Sequence, residues 1–298
     1  PPTAMKLWDA ATLEQDERGP AIRKTLAYGW ASADLGNLGP TIVENVAALL
    51  EDPEAADAVS VFLLEQVDKQ SESSAADPIT RLRELARSLW ENHSGSFTDV
   101  GEIDPTMLAL NSWPGRVARY WVKEISRRWK SDPDNWHGLN TDECDALLQL
   151  LYGSGPALDA TRPSLTGEVY FMFSADSGFT AEHLFPLFAT PGLERQSWEP
   201  YLYHPRWNNR LLEQGFVDLV VNAYPRLEGL SNPGLEGQYW RLLVSIVSFS
   251  DMEADKRATI LDHLVLEQDG HYFVRFLDCL AMQLSGEQPD EASQLWDE

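Results

Sequence analysis

The sequence predicts an all-α protein, a solenoid-like helical-repeat stack of antiparallel helix pairs. Three observations lead there. Apolar residues recur at helical spacing along almost the whole chain, Asp-Pro helix starts return at near-regular intervals, and strand signals are scarce.

Taken in chain order, the helix starts are Asp52-Pro53, Asp77-Pro78, Asp104-Pro105 and Asp132-Pro133. Each offers a capping carboxylate followed by a residue whose fixed φ suits the first helical position. They lie 25, 27 and 28 residues apart, which suggests repeating helical units, although no shared side-chain signature links them. After Asp77, residues Ile79, Leu82, Ala86 and Leu89 are spaced three, four and three and share one face. Arg116 to Lys130, RVARYWVKEISRRWK, reads as a helix with Pro114 and Gly115 at its start. Thr141 is placed to cap DECDALLQLLYG, and Thr180 to cap AEHLFPLF. Between them EVYFMF suits a strand or a buried helix, and a lone strand would have nothing to pair with. GQYWRLLVSIVSFS is apolar all round, as expected of a helix buried between neighbours. Asp251 to Leu266 and His271 to Leu284 read as an antiparallel pair about the turn Gln268-Asp269-Gly270. The polar stretches 69–78 and 91–104 read as linkers. They place a soft boundary near residue 100, between an N-terminal helical segment, 1–100, and a helical-repeat domain, 101–298, continuous with it.

Composition narrows the function. The chain has 298 residues, enough to bury a sizeable core, with 23% charged and 43% hydrophobic residues, close to globular averages. Its 23 basic and 47 acidic residues give a net charge of −24. Such a surface repels phosphate backbones and anionic membranes over a Debye length or more, so nucleic acid is a disfavoured partner. The cysteines, Cys144 and Cys279, form no disulfide framework, and no N-terminal leader pattern is present; a reducing, cytoplasmic setting is expected. Apolar runs such as Leu242 to Val247 fall far short of a membrane span. A start at PPTAMKLW, without Met, points to a segment of a longer protein.

Chemistry-bearing patterns are few. Arg116, Arg119, Lys123, Arg127 and Lys130, spaced three, four, four and three, form one basic stripe, while Val117, Trp121 and Ile125 repeat on an apolar face. The stripe reads either as a docking edge for a partner or as a solvated face that complements an acidic neighbour such as DECDALL. One stripe on so acidic a molecule is a poor electrostatic footprint for DNA. His93, His137, His183, His204, His263 and His271 show no zinc spacing, so no metal is expected. No phosphate-binding glycine loop is present, and YGSGP lacks the preceding strand of a nucleophile elbow, so no catalytic residue and no cofactor is assigned. Trp198, Trp207 and Trp240 sit at apolar helix positions and are expected in the core.

Three stretches carry a resemblance: LALNSWPGRVARYW at 108–121, FTAEHLFPLF at 179–188 and SWEPYLYHPRWNNRLLEQ at 197–214. Together they resemble the helical C-terminal region of bacterial sirtuin-domain proteins associated with anti-phage defence. Asn111 with Pro114 and Gly115, Leu184 to Phe188, and Trp198 with Leu202, Leu211 and Leu212 stand where that family has its packing signatures. The resemblance covers about residues 105–285. It implies a module of a larger protein that senses, inhibits or assembles an NAD-consuming sirtuin-like domain, the module itself being non-enzymatic. His137-Gly138 resembles the sirtuin catalytic pair, but no Rossmann fingerprint precedes it, and it is read as chance. The expected partners are other domains of the full-length protein and a protein trigger or a second copy of the chain. The alternative expectation is a hydrolase or nucleotide-binding helical domain with an acidic site of its own.

Overall fold

A helix starts where the chain supplies an acceptor for its free N–H groups. The computed structural model describes residues 2–14, 17–69, 76–98, 104–153, 155–230, 232–266 and 270–285, with the side chains at 2, 76–78, 228 and 229 excepted. Every regular element among the described residues is helical. The chain divides into two compact units, Pro1–His183 and Leu184–Glu298.

The first unit contains α1 (Pro2–Leu13), α2 (Arg18–Ala31), α3 (Gly39–Ala47), α4 (Ala56–Lys69), α5 (Ala76–His93) and α6 (Pro105–Asn111). There follow α7 (Trp113–Ser131), α8 (Thr141–Tyr152), α9 (Leu158–Thr166), α10 (Val169–Ala175) and α11 (Ser177–Phe179). Two Asp-Pro starts cap as the sequence predicts. Asp52 accepts from the Glu54 N–H and Asp104 from those of Thr106 and Met107. The Asp77 cap falls on side chains outside the described residues. Asp132 does the opposite of what its Pro neighbour suggests: it terminates α7, and its carboxylate is taken by the Asn135 amide. The next helix is capped by Asn140 rather than Thr141, through a reciprocal capping box with Glu143. EVYFMF settles as helix, its core residues Val169, Met172 and Phe173 all buried. Asp176, not Thr180, caps the turn after it, and Thr180 opens a π-helical stretch, Thr180–Leu184.

Packing follows the apolar faces. α4 lies against α2, α5 and α7, and α7 lies in turn against α9. The contacts therefore run across the linker near residue 100, and the division between units falls at His183–Leu184 instead. Phe62 and Leu63 on α4 and Val117, Trp121 and Ile125 on α7 are buried. Each large apolar side chain so removed from water contributes about 1.5–3 kcal/mol. At the α6–α7 corner the backbones touch. A Cβ on Gly115 would lie 1.9 Å from the Ala109 carbonyl oxygen, so only glycine lets α7 begin there.

The second unit contains α12 (Phe185–Ala189), α13 (Glu194–Tyr203), α14 (Asn209–Leu211), α15 (Val217–Val221), α16 (Gly234–Phe249), α17 (Ala254–Leu266) and α18 (His271–Leu284). Phe188, Trp198, Tyr201 and Phe216 make mutual ring contacts at its centre, with centroids 4.9–6.3 Å apart. Trp198 and Trp240 are core residues, while Trp207 is half-buried and donates to the Ser245 hydroxyl at 3.2 Å. A π-helical turn, Leu212–Phe216, joins α14 to α15 through Gly215 at φ 101°, a value only glycine holds without strain. α16 packs on α13 and α18, and α17 packs on α18.

Candidate functional site

The basic helix α7 meets three other helices through its polar face. Arg116 donates from Nε to the Ser60 hydroxyl at 2.9 Å and from Nη1 to the Asn111 carbonyl at 3.0 Å, and it pairs with Asp57. Lys123 pairs with Asp68. Both aspartates stand on α4, so these two cations run along its acidic edge. Arg127 donates to both oxygens of Glu124, Nε at 2.8 Å and Nη2 at 2.9 Å. Arg83, from α5, reaches the same carboxylate with Nε at 2.9 Å and Nη2 at 2.5 Å. Arg119 is half-buried and Lys130 exposed, and among the described residues neither makes a hydrogen bond or ion pair. The structure thus brings three of the five stripe residues onto carboxylates of their own unit.

Sequence reading offered DECDALL, which holds Glu143, as an acidic neighbour of the basic helix, but did not single out Glu124 or Arg128. Glu124 is 1% exposed and Glu143 0%. Arg128, outside the stripe, clamps Glu143 with Nε at 2.8 Å and Nη2 at 2.7 Å and donates to the Gly138 carbonyl at 2.8 Å. Its guanidinium lies 4.1 Å from the ring centre of Trp136, which stacks on Trp129 and donates to the Ala175 carbonyl. The signals for this were present in the sequence: Glu124 three and four residues before two arginines, and an Asn-x-x-Glu capping pattern at 140–143.

The electrostatics agree with the geometry. The hydrogen bond to Glu124 raises the Arg127 pKa against the opposing effect of its burial. Burial, helped by the Glu124 charge, holds the Tyr120 hydroxyl well above its ordinary value. Paired carboxylates and guanidinia of this kind tie helices together.

Two other places carry polar groups. Tyr152 and His183 meet at 3.3 Å between hydroxyl and Nδ1, and burial raises the Tyr152 pKa. A shallow groove of about 400 Å³ runs between α3 and α5, lined by Val43, Glu44, Ala47, Thr80, Arg81 and Ser88, with an Arg81–Glu44 ion pair across it. Among the described residues, no three His, Cys, Asp or Glu side chains converge as metal ligands, and no helix is long and apolar enough to cross a membrane. Compared with family models, curated proteins and solved structures, the chain matches none.

Proposed function

We propose that this chain is a non-enzymatic helical scaffold or sensor module of a larger bacterial protein. In that protein it regulates or assembles an NAD-consuming sirtuin-like effector of anti-phage defence. A solenoid-like repetition of helix pairs is part of the same proposal. The observation that supports a scaffold is the way the first unit holds its two buried carboxylates. Glu124 and Glu143 are each held by arginine forks inside the helix stack, which is what a rigid module requires of its charges. The link to a sirtuin effector rests on the resemblance of residues 108–121, 179–188 and 197–214.

The test has two arms. A thermal-shift screen of the chain with NAD, nucleotides and divalent metals should give no rise in melting temperature. A ligand at a hundred times its Kd would add about 2.7 kcal/mol of stability and be plainly visible. Mixed with a separately purified sirtuin-like domain of the same protein, the chain should change that domain's NAD turnover. NAD hydrolysis by the chain alone would overturn the module reading, and an unchanged effector rate would overturn the regulatory one.

A further inference from the structure

Helix α18 is apolar on two sides, and among the described residues only one of them is covered. Tyr272, Phe276, Cys279 and Gln283, spaced four, three and four, face inward; Tyr272 and Phe276 are buried and the other two half-buried. Val274, Leu277, Ala281 and Leu284, spaced three, four and three, form a second stripe, and all four are exposed, Val274 by 53% and Leu284 by 79%. Spacing of three and four is the seam pattern of one helix lying along another. The stripe is eleven residues long, about 16 Å at 1.5 Å per residue, which matches about three turns of a partner helix. Solvated apolar rows of this kind mark interaction surfaces. On the adjoining α17, Val265 and Leu266 are exposed as well, by 46% and 80%.

Charge selects the occupant. Asp278 lies one turn along from Val274 and Ala281, and Asp255 and Asp262, seven residues apart, run beside Ala258 and Val265 on α17. All three are exposed, and among the described residues none has a cationic partner. Arg241 of α16 acts on the inward-facing Cys279, and three other nearby cations are used elsewhere. Lys256 pairs with Asp218, Arg275 with Glu236, and Arg257 donates to the Ser250 and Met252 carbonyls. A second copy would bring another net charge of −24 against these aspartates, and an anionic membrane would be repelled in the same way.

We infer that the outer face of α18, with the adjoining edge of α17, is a docking site for an amphipathic helix of a partner protein. That helix has an apolar a/d-type seam flanked by lysine or arginine. The inference rests on the interaction-module reading and adds the chemistry of the partner.

The probe is a fluorescein-labelled synthetic peptide with leucines at heptad a and d positions and lysines beside them, titrated with the full chain and followed by anisotropy. It should bind, and a peptide of the same composition in scrambled order should bind at least about tenfold more weakly, since scrambling breaks the whole apolar seam and a tenfold change is only about 1.4 kcal/mol. Val274→Asp with Leu277→Asp should weaken binding by a similar factor with the helical circular dichroism intact. Ala281→Arg, at an exposed position that cannot disturb the core, should do the same and covers the case in which the double variant misfolds. Equal binding of the scrambled peptide, or unchanged binding by both variants, would overturn the site. So would dimerisation of the chain through the stripe in sedimentation velocity, or binding to phosphatidylglycerol vesicles in preference to the peptide. Failure here with the effector rate still altered by the chain would remove this surface and leave the module reading standing.

Discussion

Replacing both arginines that hold Glu124, Arg83→Gln together with Arg127→Gln, is expected to destabilise the first unit by about 3–5 kcal/mol, the usual cost of stripping a buried carboxylate of its partners. The magnitude comes from the geometry. Glu124 is 1% exposed and accepts four N–H bonds, two from each guanidinium, at 2.5–2.9 Å. Losing one arginine leaves the other fork in place, so each single replacement should cost about 1.5–3 kcal/mol, as for hydrogen bonds to a charged group. Adding Glu124→Gln to the double variant removes the stranded charge and should restore about 2 kcal/mol, because a neutral amide is far cheaper to bury than a carboxylate. Urea unfolding followed by far-ultraviolet circular dichroism reads these differences as midpoint shifts at constant slope. A triple variant no more stable than the double would refute the reasoning. The arginines would then act through the packing of their methylene stems, and Glu124 would be incidental.

Trp121→Ala should cost about 3–5 kcal/mol by emptying a core site, whereas Lys123→Gln, which loses only a surface pair with Asp68, should change stability by less than about 1 kcal/mol; the same urea titration compares them. Gly115→Ala should destabilise by about 3 kcal/mol, at the top of the overpacking range, because its Cβ would meet the Ala109 carbonyl at 1.9 Å, while Gly29→Ala, which meets nothing within 4 Å, should be tolerated. Tyr28 and Tyr224 are pushed up to about 12 by burial and by the neighbouring Asp57 and Glu236 carboxylates. The folded state therefore keeps protons that the unfolded chain gives up near pH 10, so stability should hold below pH 10 and fall between pH 10 and about 12. Thermal melts across that range, with tyrosinate absorbance at 295 nm, check it; a titration in which all nine tyrosines share a midpoint near pH 10 would show both residues free.

Helical character was legible because it is local. The 3.6-residue period and the carboxylates of Asp52 and Asp104 are read within a few positions, and both caps form. Asp132 shows the limit of that reading. Its Asp-Pro pair is the same locally, but the Asn135 amide takes the carboxylate and the chain turns. Proline was an equally incomplete signal, since α9 and α13 run through Pro163 and Pro200. The apolar face of α7 followed from the spacing of Val117, Trp121 and Ile125. The partners of its cations did not, because Asp57 and Asp68 lie 59 and 55 residues away and Arg83 lies 41 residues from Glu124. A wheel tells which residues share a side; it does not tell what the rest of the chain brings opposite them. Arg128 was missed for that reason, since its role depends on Glu143 and Trp136 arriving from the following loop and helix.

The joining of α7 to α4, α5 and α8 bears on how the first unit opens. Separating α7 from any one of these helices means breaking charge-assisted bonds to Asp57 and Asp68, to Arg83, or to Glu143, together with the apolar contacts beneath them. Drawing α5 or α8 away strands Glu124 or Glu143, 1% and 0% exposed, and drawing α4 away uncovers Phe62, Leu63 and the apolar face of α7, so each partial opening is costly. These four helices should behave as a single foldon, with amides in α4 and α7 exchanging with deuterium at one common rate set by global unfolding of the unit. Helices joined in that way transmit a push on one of them as a displacement of all four.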